Sequence, residues 1–544
     1  MSEARPAQGS LVEVGVEPLA WAAVTLLFLG MRFAVTWQAP VGAEELPALS
    51  GAWQAAHGAA DDRFVPTLFQ AVSAWYFVFG DSEVVPRLAA FLTTASIPIA
   101  IFLLRPVFGA WVPLVALGLL AFDAPGIYAG VAATTSGFDL AIVTWGFVLF
   151  ACEDLARRLP LAAWAIAGLL AATAGPAVVP LVLAAAVVYA PQLRRRLDRR
   201  HLAAAVGAAL GILIASLGFG AGDAAVAVPP LVTFVETFEA GVSTLSAADI
   251  LMLYSWPIVG FGVGGAALLL LHHRPQMAAP HWLLVGWSGA GLAWLVAALS
   301  QGGAVVVAAA TLPCALLAGL AVVAAVPALR AADWNVARFA IPVGVAMALI
   351  GFAYSVDWAR VGRVGSGADV ARVIALFSAA IAALAVAAVE SRSRPALLAP
   401  ALAASAIVIV VGGFGVGLSG SSEPLPSPVS PQGARVLRAL ALETREARGG
   451  QIVVHPDFRD AILWPFRDSG DLVIASRVPD DAVVVLWPAD MAQPEGFAVV
   501  EGEWSLLDST ANPTGGWLAY LRWYSDRNDL SLSHSPMAVY IRSE

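Results

Sequence analysis

VGAEELPALSGAWQAAHGAADDRFVP, Val41–Pro66, sets four carboxylates, an arginine and a histidine between two apolar runs. The runs on either side are long enough to cross a bilayer, which takes roughly 20 mostly apolar residues. Ionisable groups here stand just outside the first hydrophobic segment. The composition of the whole chain explains why that matters. Of 544 residues, 59% are hydrophobic and 13% charged, with a mean hydropathy of +0.78. Soluble domains carry about a quarter charged residues, so most of this chain belongs in lipid.

Working outward from the loop, we read thirteen candidate spans: 18–37, 87–104, 107–122, 137–155, 161–175, 176–190, 202–220, 250–271, 281–299, 303–327, 339–356, 369–389 and 396–418. All the basic residues are arginines, and cytoplasmic loops should hold their excess. With the N-terminus inside, the inner loops carry Arg105; Arg157 with Arg158; RRRLDRR at Arg194–Arg200; HHR at His272–Arg274; Arg330 with Arg338; and SRSR at Ser391–Arg394. Only Arg360 and Arg363, in WARVGRVGSG, argue against this orientation. The N-terminal segment 1–17 is polar and does not read as a cleavable signal. Cys152 and Cys314 both lie in apolar runs, so no disulfide framework is indicated.

The expected organisation is a polytopic α-helical membrane protein with a small C-terminal α/β extracytoplasmic domain. Residues 1–17 form a cytoplasmic segment. Residues 18–418 form the membrane domain, with outer loops 38–86 and 221–249. Residues 419–433, SGSSEPLPSPVSPQG, read as an extended Pro/Ser linker. In 434–544 a helical pattern, ARVLRALALETREAR, precedes the β-like runs QIVVH, DLVIAS, AVVVLW, GFAVVEG and MAVYIR.

Carboxylates at a membrane surface suit transfer from a lipid-phosphate-linked sugar. The anomeric carbon sits just above the headgroups while the polyprenyl tail stays in the bilayer. A carboxylate general base contributes about 10²–10⁴-fold, and cations must hold the phosphate leaving group. Arg63 and Arg87 are the available cations. His57, Asp61 and Asp62 in the loop, and Tyr254 and Trp256 near an outer membrane edge, are candidates to guide substrate. Ordinary solvated acids and an interfacial aromatic belt are the bland alternatives. No recognised metal-ligand spacing, Ser-His-Asp set, P-loop or nucleic-acid signature is present. The spans hold almost no charge beyond Arg32, which argues against ion-coupled transport.

The order of these features resembles the GT-C superfamily of membrane glycosyltransferases. It is similar to the protein O-mannosyltransferases, the lipid A aminoarabinose transferases and, most closely, the flippase-associated glycosyltransferase-like group. The resemblance rests on the acid pair Glu44-Glu45, on PTLFQAVSAWYFVFGDSEVVPRLAAFL (Pro66–Leu92), and on Asp139 in TTSGFDLAIV. ILWPFRD (Ile462–Asp468) and LAYLRWYSDRNDL (Leu518–Leu530) add tail elements of the flippase-associated group. The resemblance implies about thirteen membrane helices in a prokaryotic plasma membrane. It implies an inverting transfer from a polyprenyl-phosphate sugar to a glycan, lipid or protein hydroxyl. It implies Glu44 at the catalytic acid, Glu45 beside it, and Asp139 positioning acceptor or a divalent cation. The departures also count. The family's pair begins with aspartate, and its arginines ahead of the fourth-span acid are missing here. The alternative expectation is therefore a catalytically degenerate GT-C scaffold or interaction protein.

Overall fold

The computed structural model describes residues 15–38, 77–80, 84–152, 176–196, 247–272, 277–299, 303–331, 431–458, 472–500, 504–506 and 535–543, parts of 45–57, and isolated residues elsewhere. Candidate spans 161–175, 202–220, 339–356, 369–389 and 396–418 lie wholly or almost wholly outside the described residues, as do residues 66–76 and most of the linker.

Helix α1 (Val16–Gln38) is followed by α2 (Val84–Thr94), α3 (Ile97–Phe102) and α4 (Arg105–Phe108), which run on as one apolar stretch, Val84–Phe108. Among the described residues, three helices are long and apolar enough to cross a membrane: Val16–Trp37, Val84–Phe108 and Ala304–Pro327. Glu17 at the head of α1 meets Arg105 at 2.5 Å. The start of α1 and the end of the second span therefore lie on one side, and Glu45, which meets Arg87 at the head of the second span, lies on the other.

The next two helices, α5 (Trp111–Ala121) and α6 (Ala124–Val131), meet at a 75° bend. The sequence FDAPG makes the break. Asp123 takes an extended conformation as the N-cap of α6, and Pro125 fits its first turn, where no N–H is needed. A proline cannot continue a helix interior without losing a hydrogen bond. All eight residues of α6 are buried, so this short helix lies inside the protein. Helices α7 (Ser136–Ala151), α8 (Val179–Arg196), α9 (Trp256–His272), α10 (Ala279–Ala297) and α11 (Ala304–Ala331) complete the described bundle. A π-helical turn, Leu251–Ser255, leads into α9.

Small residues bring these helices together. A Cβ at Gly265 of α9 would stand 2.0 Å from the Leu317 carbonyl oxygen of α11, and one at Gly262 would stand 2.7 Å from Cys314 Cβ. In lipid, packing contacts of this kind drive helix association. The resulting apolar core runs from Phe28 and Ile101 through Leu117, Ile127 and Phe147 to Trp287 and Leu317.

The C-terminal part holds α12 (Pro431–Arg448) and six strands: β1 (Gln451–Val454), β2 (Leu472–Ile474), β3 (Ala482–Pro488), β4 (Phe497–Val499), β5 (Trp504–Leu506) and β6 (Ser535–Arg542). The sheet order is β2-β1-β3-β6-β4, with β5 also on β6. β2, β1 and β3 are parallel, while β6 is antiparallel to β3, β4 and β5. Five of the strands fall on the runs quoted above. Side chains alternate between faces, as the period of two requires. Ile452, Val454, Val484, Leu486 and Val539 face one core, and Val453, Val485, Trp487 and Tyr540 face another.

The first of these sheet faces does not close on α12 alone. Its cluster continues through Leu437 and Ala441 of α12 into Leu49, Ala52, Phe77, Ala89, Ala90, Ala133 and Phe138. The sheet thus shares one apolar core with the acid-bearing loop and with the starts of α2 and α7.

Candidate functional site

Glu45 is fully buried, at 0% exposure. Such burial of a carboxylate is tolerated only with a partner and hydrogen bonds. Both are present. Arg87, in the first turn of α2, donates from Nε to Glu45 Oε1 at 2.8 Å and from Nη2 to Oε2 at 2.5 Å. The backbone N–H of Ala133, in the link from α6 to α7, donates to Oε1 at 2.6 Å. The fork geometry of arginine allows this two-point grip. Three segments far apart in sequence therefore meet on one carboxylate. Arg87, expected to hold a donor phosphate, has its Nε and Nη2 on Glu45.

Asp139 lies in the first turn of α7 at 1% exposure, and its backbone N–H donates to Thr135 O at 3.0 Å. An acid near a helix N-terminus meets the favourable end of the helix dipole. Thr134 steadies that start, its Oγ1 accepting from the Ser136 N–H and bonding Ser136 Oγ. Phe138 and Ala133 share a cluster with Ala89 and Ala90, which follow Arg87 on α2. The structure thus brings Glu45, Arg87 and the head of the Asp139 helix to one wall.

The other expected residues divide. Glu44, Asp61, Asp62 and Arg63 lie outside the described residues. His57 is exposed on the helical stretch after Glu45. Its ring stacks on Trp53 with centroids 4.3 Å apart, and its Nδ1 lies 2.9 Å from Trp53 O. Tyr254 is buried in the helical core, and Trp256 is 44% exposed. Among the described residues no group of three or more His, Cys, Asp or Glu gathers to hold a metal ion.

A second polar set was not read from the sequence. Asp123, at 1% exposure, accepts from Ser255 Oγ at 3.0 Å and from Thr311 Oγ1 at 2.7 Å. Arg32, also buried, donates from Nη2 to Leu120 O at 3.3 Å and to Gly126 O at 3.2 Å. The break between α5 and α6 releases carbonyls from the helical ladder, and Arg32 satisfies Leu120 O. Gly126 stands between the two charges. A Cβ there would fall 2.6 Å from Asp123 Oδ2, so only glycine lets the carboxylate fold back over α6. The expectation that Arg32 is nearly alone as an intramembrane charge is corrected by Asp123. The signal was present in FDAPG, where an N-cap residue precedes a first-turn proline. Through α6, this network holds the segment whose Ala133 N–H binds Glu45.

These features define a helical membrane protein with the GT-C fold. The fold is shared with solved structures of ArnT from Cupriavidus metallidurans. With the structure bound to undecaprenyl phosphate, the TM-score is 0.55 at 16% identity, covering 96% of this chain and 97% of that one. With the apo structure the TM-score is 0.53, with the same identity and coverage. No protein-family model matches the sequence, and no curated protein matches it.

Proposed function

We propose that this protein is a membrane glycosyltransferase that moves a sugar from a polyprenyl-phosphate donor to an extracytoplasmic acceptor hydroxyl, with inversion. The observation that carries the reading is the clamp on Glu45. An acid is fixed rigidly at the membrane end of a fold shared, over nearly its whole length, with a protein solved with undecaprenyl phosphate. Glu44, the covalent neighbour of Glu45, is the general base that takes the acceptor's proton. Asp139, on the same wall, orients the acceptor. Arg63 holds the phosphate as the glycosidic bond breaks, and Arg87 acts through Glu45. Anchoring matters because misplacement by about 1 Å costs on the order of 10²-fold. His57, Asp61 and Asp62 guide the substrate. The C-terminal sheet, sharing its core with this loop, covers the site on the extracytoplasmic face.

A second reading is supported by a specific observation. With Arg87 engaged by Glu45, a cation that the chemistry needs is committed to structure. A GT-C scaffold that has lost catalysis would look the same at this point.

The test is transfer by purified protein from a panel of polyprenyl-phosphate sugars, comparing wild type with Glu44→Gln and Asp139→Asn. Loss of about 10²–10⁴-fold in Glu44→Gln, with an unchanged melting temperature, is expected. Full activity in Glu44→Gln removes the base assignment. A wild-type protein that binds the lipid phosphate but transfers no sugar from any donor establishes the scaffold reading.

A further inference from the structure

Ser50 and Trp53 stand three residues apart on the helical stretch after Glu45, a spacing that puts both on one face. Ser50 is 6% exposed. Its Oγ and the indole Nε1 of Trp53 are both sealed from solvent, and neither has a hydrogen-bond partner among the described residues. Buried polar atoms in native proteins are nearly always satisfied, and each exception calls for a physical reason.

Their surroundings suggest one. Leu49, Ala52 and Trp53 pack in the cluster that contains Ala89 and Ala90 after Arg87, Ala133 on Glu45, and Phe138 beside Asp139. The two unmet donors therefore belong to the wall of the candidate site, where the loop meets the C-terminal sheet. Trp53 is half-buried and carries the exposed His57 ring stacked on it. The seam thus lies one side chain below the surface. An indole N–H can only donate, and a serine hydroxyl can do so. A phosphoryl group supplies acceptors and needs no acceptor in return, and it is the anion of the proposed donor. The guanidinium of Arg87 is already on Glu45, which leaves neutral donors to meet part of an anion's demand.

We infer that Ser50 Oγ and Trp53 Nε1 donate hydrogen bonds to phosphoryl oxygens of the ligand, exchanging a dry seal for acceptors when it binds. The inference rests on the reading of a polyprenyl-phosphate substrate and adds two binding residues to it. It has a signature that a packing role lacks. Removing an unmet donor relieves the ligand-free protein while weakening the complex.

The experiment uses full-length protein, Ser50→Ala and Trp53→Phe, titrated with undecaprenyl phosphate and, separately, with inorganic phosphate. Each variant is expected to bind undecaprenyl phosphate about 10–100-fold more weakly, the range for a hydrogen bond to a charged group. The ligand-free melting temperature should hold or rise. Parallel weakening of inorganic phosphate supports recognition of the phosphoryl oxygens themselves. Weakening confined to the lipid supports a phosphoryl group that must arrive on its chain. Unchanged affinity for undecaprenyl phosphate in both variants overturns the inference. So does a lowered melting temperature with unchanged affinity, or a wild-type protein that does not bind undecaprenyl phosphate. Glycosyl transfer is not the readout, so a protein that binds the lipid without catalysis would refute the proposed activity and leave this inference standing.

Discussion

Arg87→Met removes the cation from a carboxylate at 0% exposure that, among the described residues, has three donors, two of them from Arg87. Leaving one member of a buried ion pair behind typically costs about 3–5 kcal/mol, whereas removing both charges costs much less. Glu45→Gln strands the guanidinium in the same way, although its amide oxygen still accepts from the Ala133 N–H. The double variant Glu45→Gln/Arg87→Met leaves neither charge of the pair. Its residual cost is that of an imperfectly bonded amide, about 1–3 kcal/mol. The double variant should therefore be about 2 kcal/mol more stable than Arg87→Met alone, and because Glu45→Gln is costly as well, the coupling of the pair is larger than that difference. In a Cys152→Ala background the buried Cys314 is the reporter, so a thiol-reactive dye followed during heating reads the unfolding. If the pair also positions Glu44, the double variant recovers its melting temperature without recovering glycosyl transfer. A double variant less stable than either single variant, by the sum of their losses, would refute the reasoning. The two side chains would then be independent and the clamp energetically empty.

Two further outcomes follow from the membrane core. Gly265→Ala forces a Cβ to within 2.0 Å of the Leu317 backbone, while Gly264, one residue earlier, has nothing within 4 Å. Gly265→Ala should lose well over the about 1–3 kcal/mol typical of overpacking. The monodisperse yield on size-exclusion chromatography should fall, while Gly264→Ala stays near wild type; equal yields would rule out the close approach of α9 and α11. Asp123→Ala leaves the Ser255 hydroxyl without its Asp123 acceptor, shifts Thr311 Oγ1 onto Ala308 O alone, and removes a buried anion from the network that contains Arg32. It should lower the melting temperature more than Ser255→Ala or Thr311→Val, each expected to cost about 1 kcal/mol. A wild-type melting temperature in Asp123→Ala would show that the network does not hold the bend.

The sequence by itself determined that most of the chain is apolar enough for a membrane, and its resemblance to GT-C enzymes implied the fold. The first follows from apolar length and arginine placement, the second from the likeness of the run from Glu44 to Arg87 to a known family. A helix must satisfy its own backbone in lipid, so apolar length alone is enough to mark one. Only the tertiary structure decided what the charges do. Glu45 and Arg87 stand 42 residues apart, and Asp123 and Thr311 stand 188 apart. No spacing rule links such positions, because their meeting depends on how the helices pack. Arg87 reads in sequence as a cation facing outward at the head of a span, yet burial turns it onto Glu45, since a guanidinium shut away from water must find an anion. Ser50 and Trp53 read as unremarkable loop residues until packing seals their donors without acceptors. Local periodicity wrote the helices. Desolvation, which exists only once the chain is packed, selected the partners.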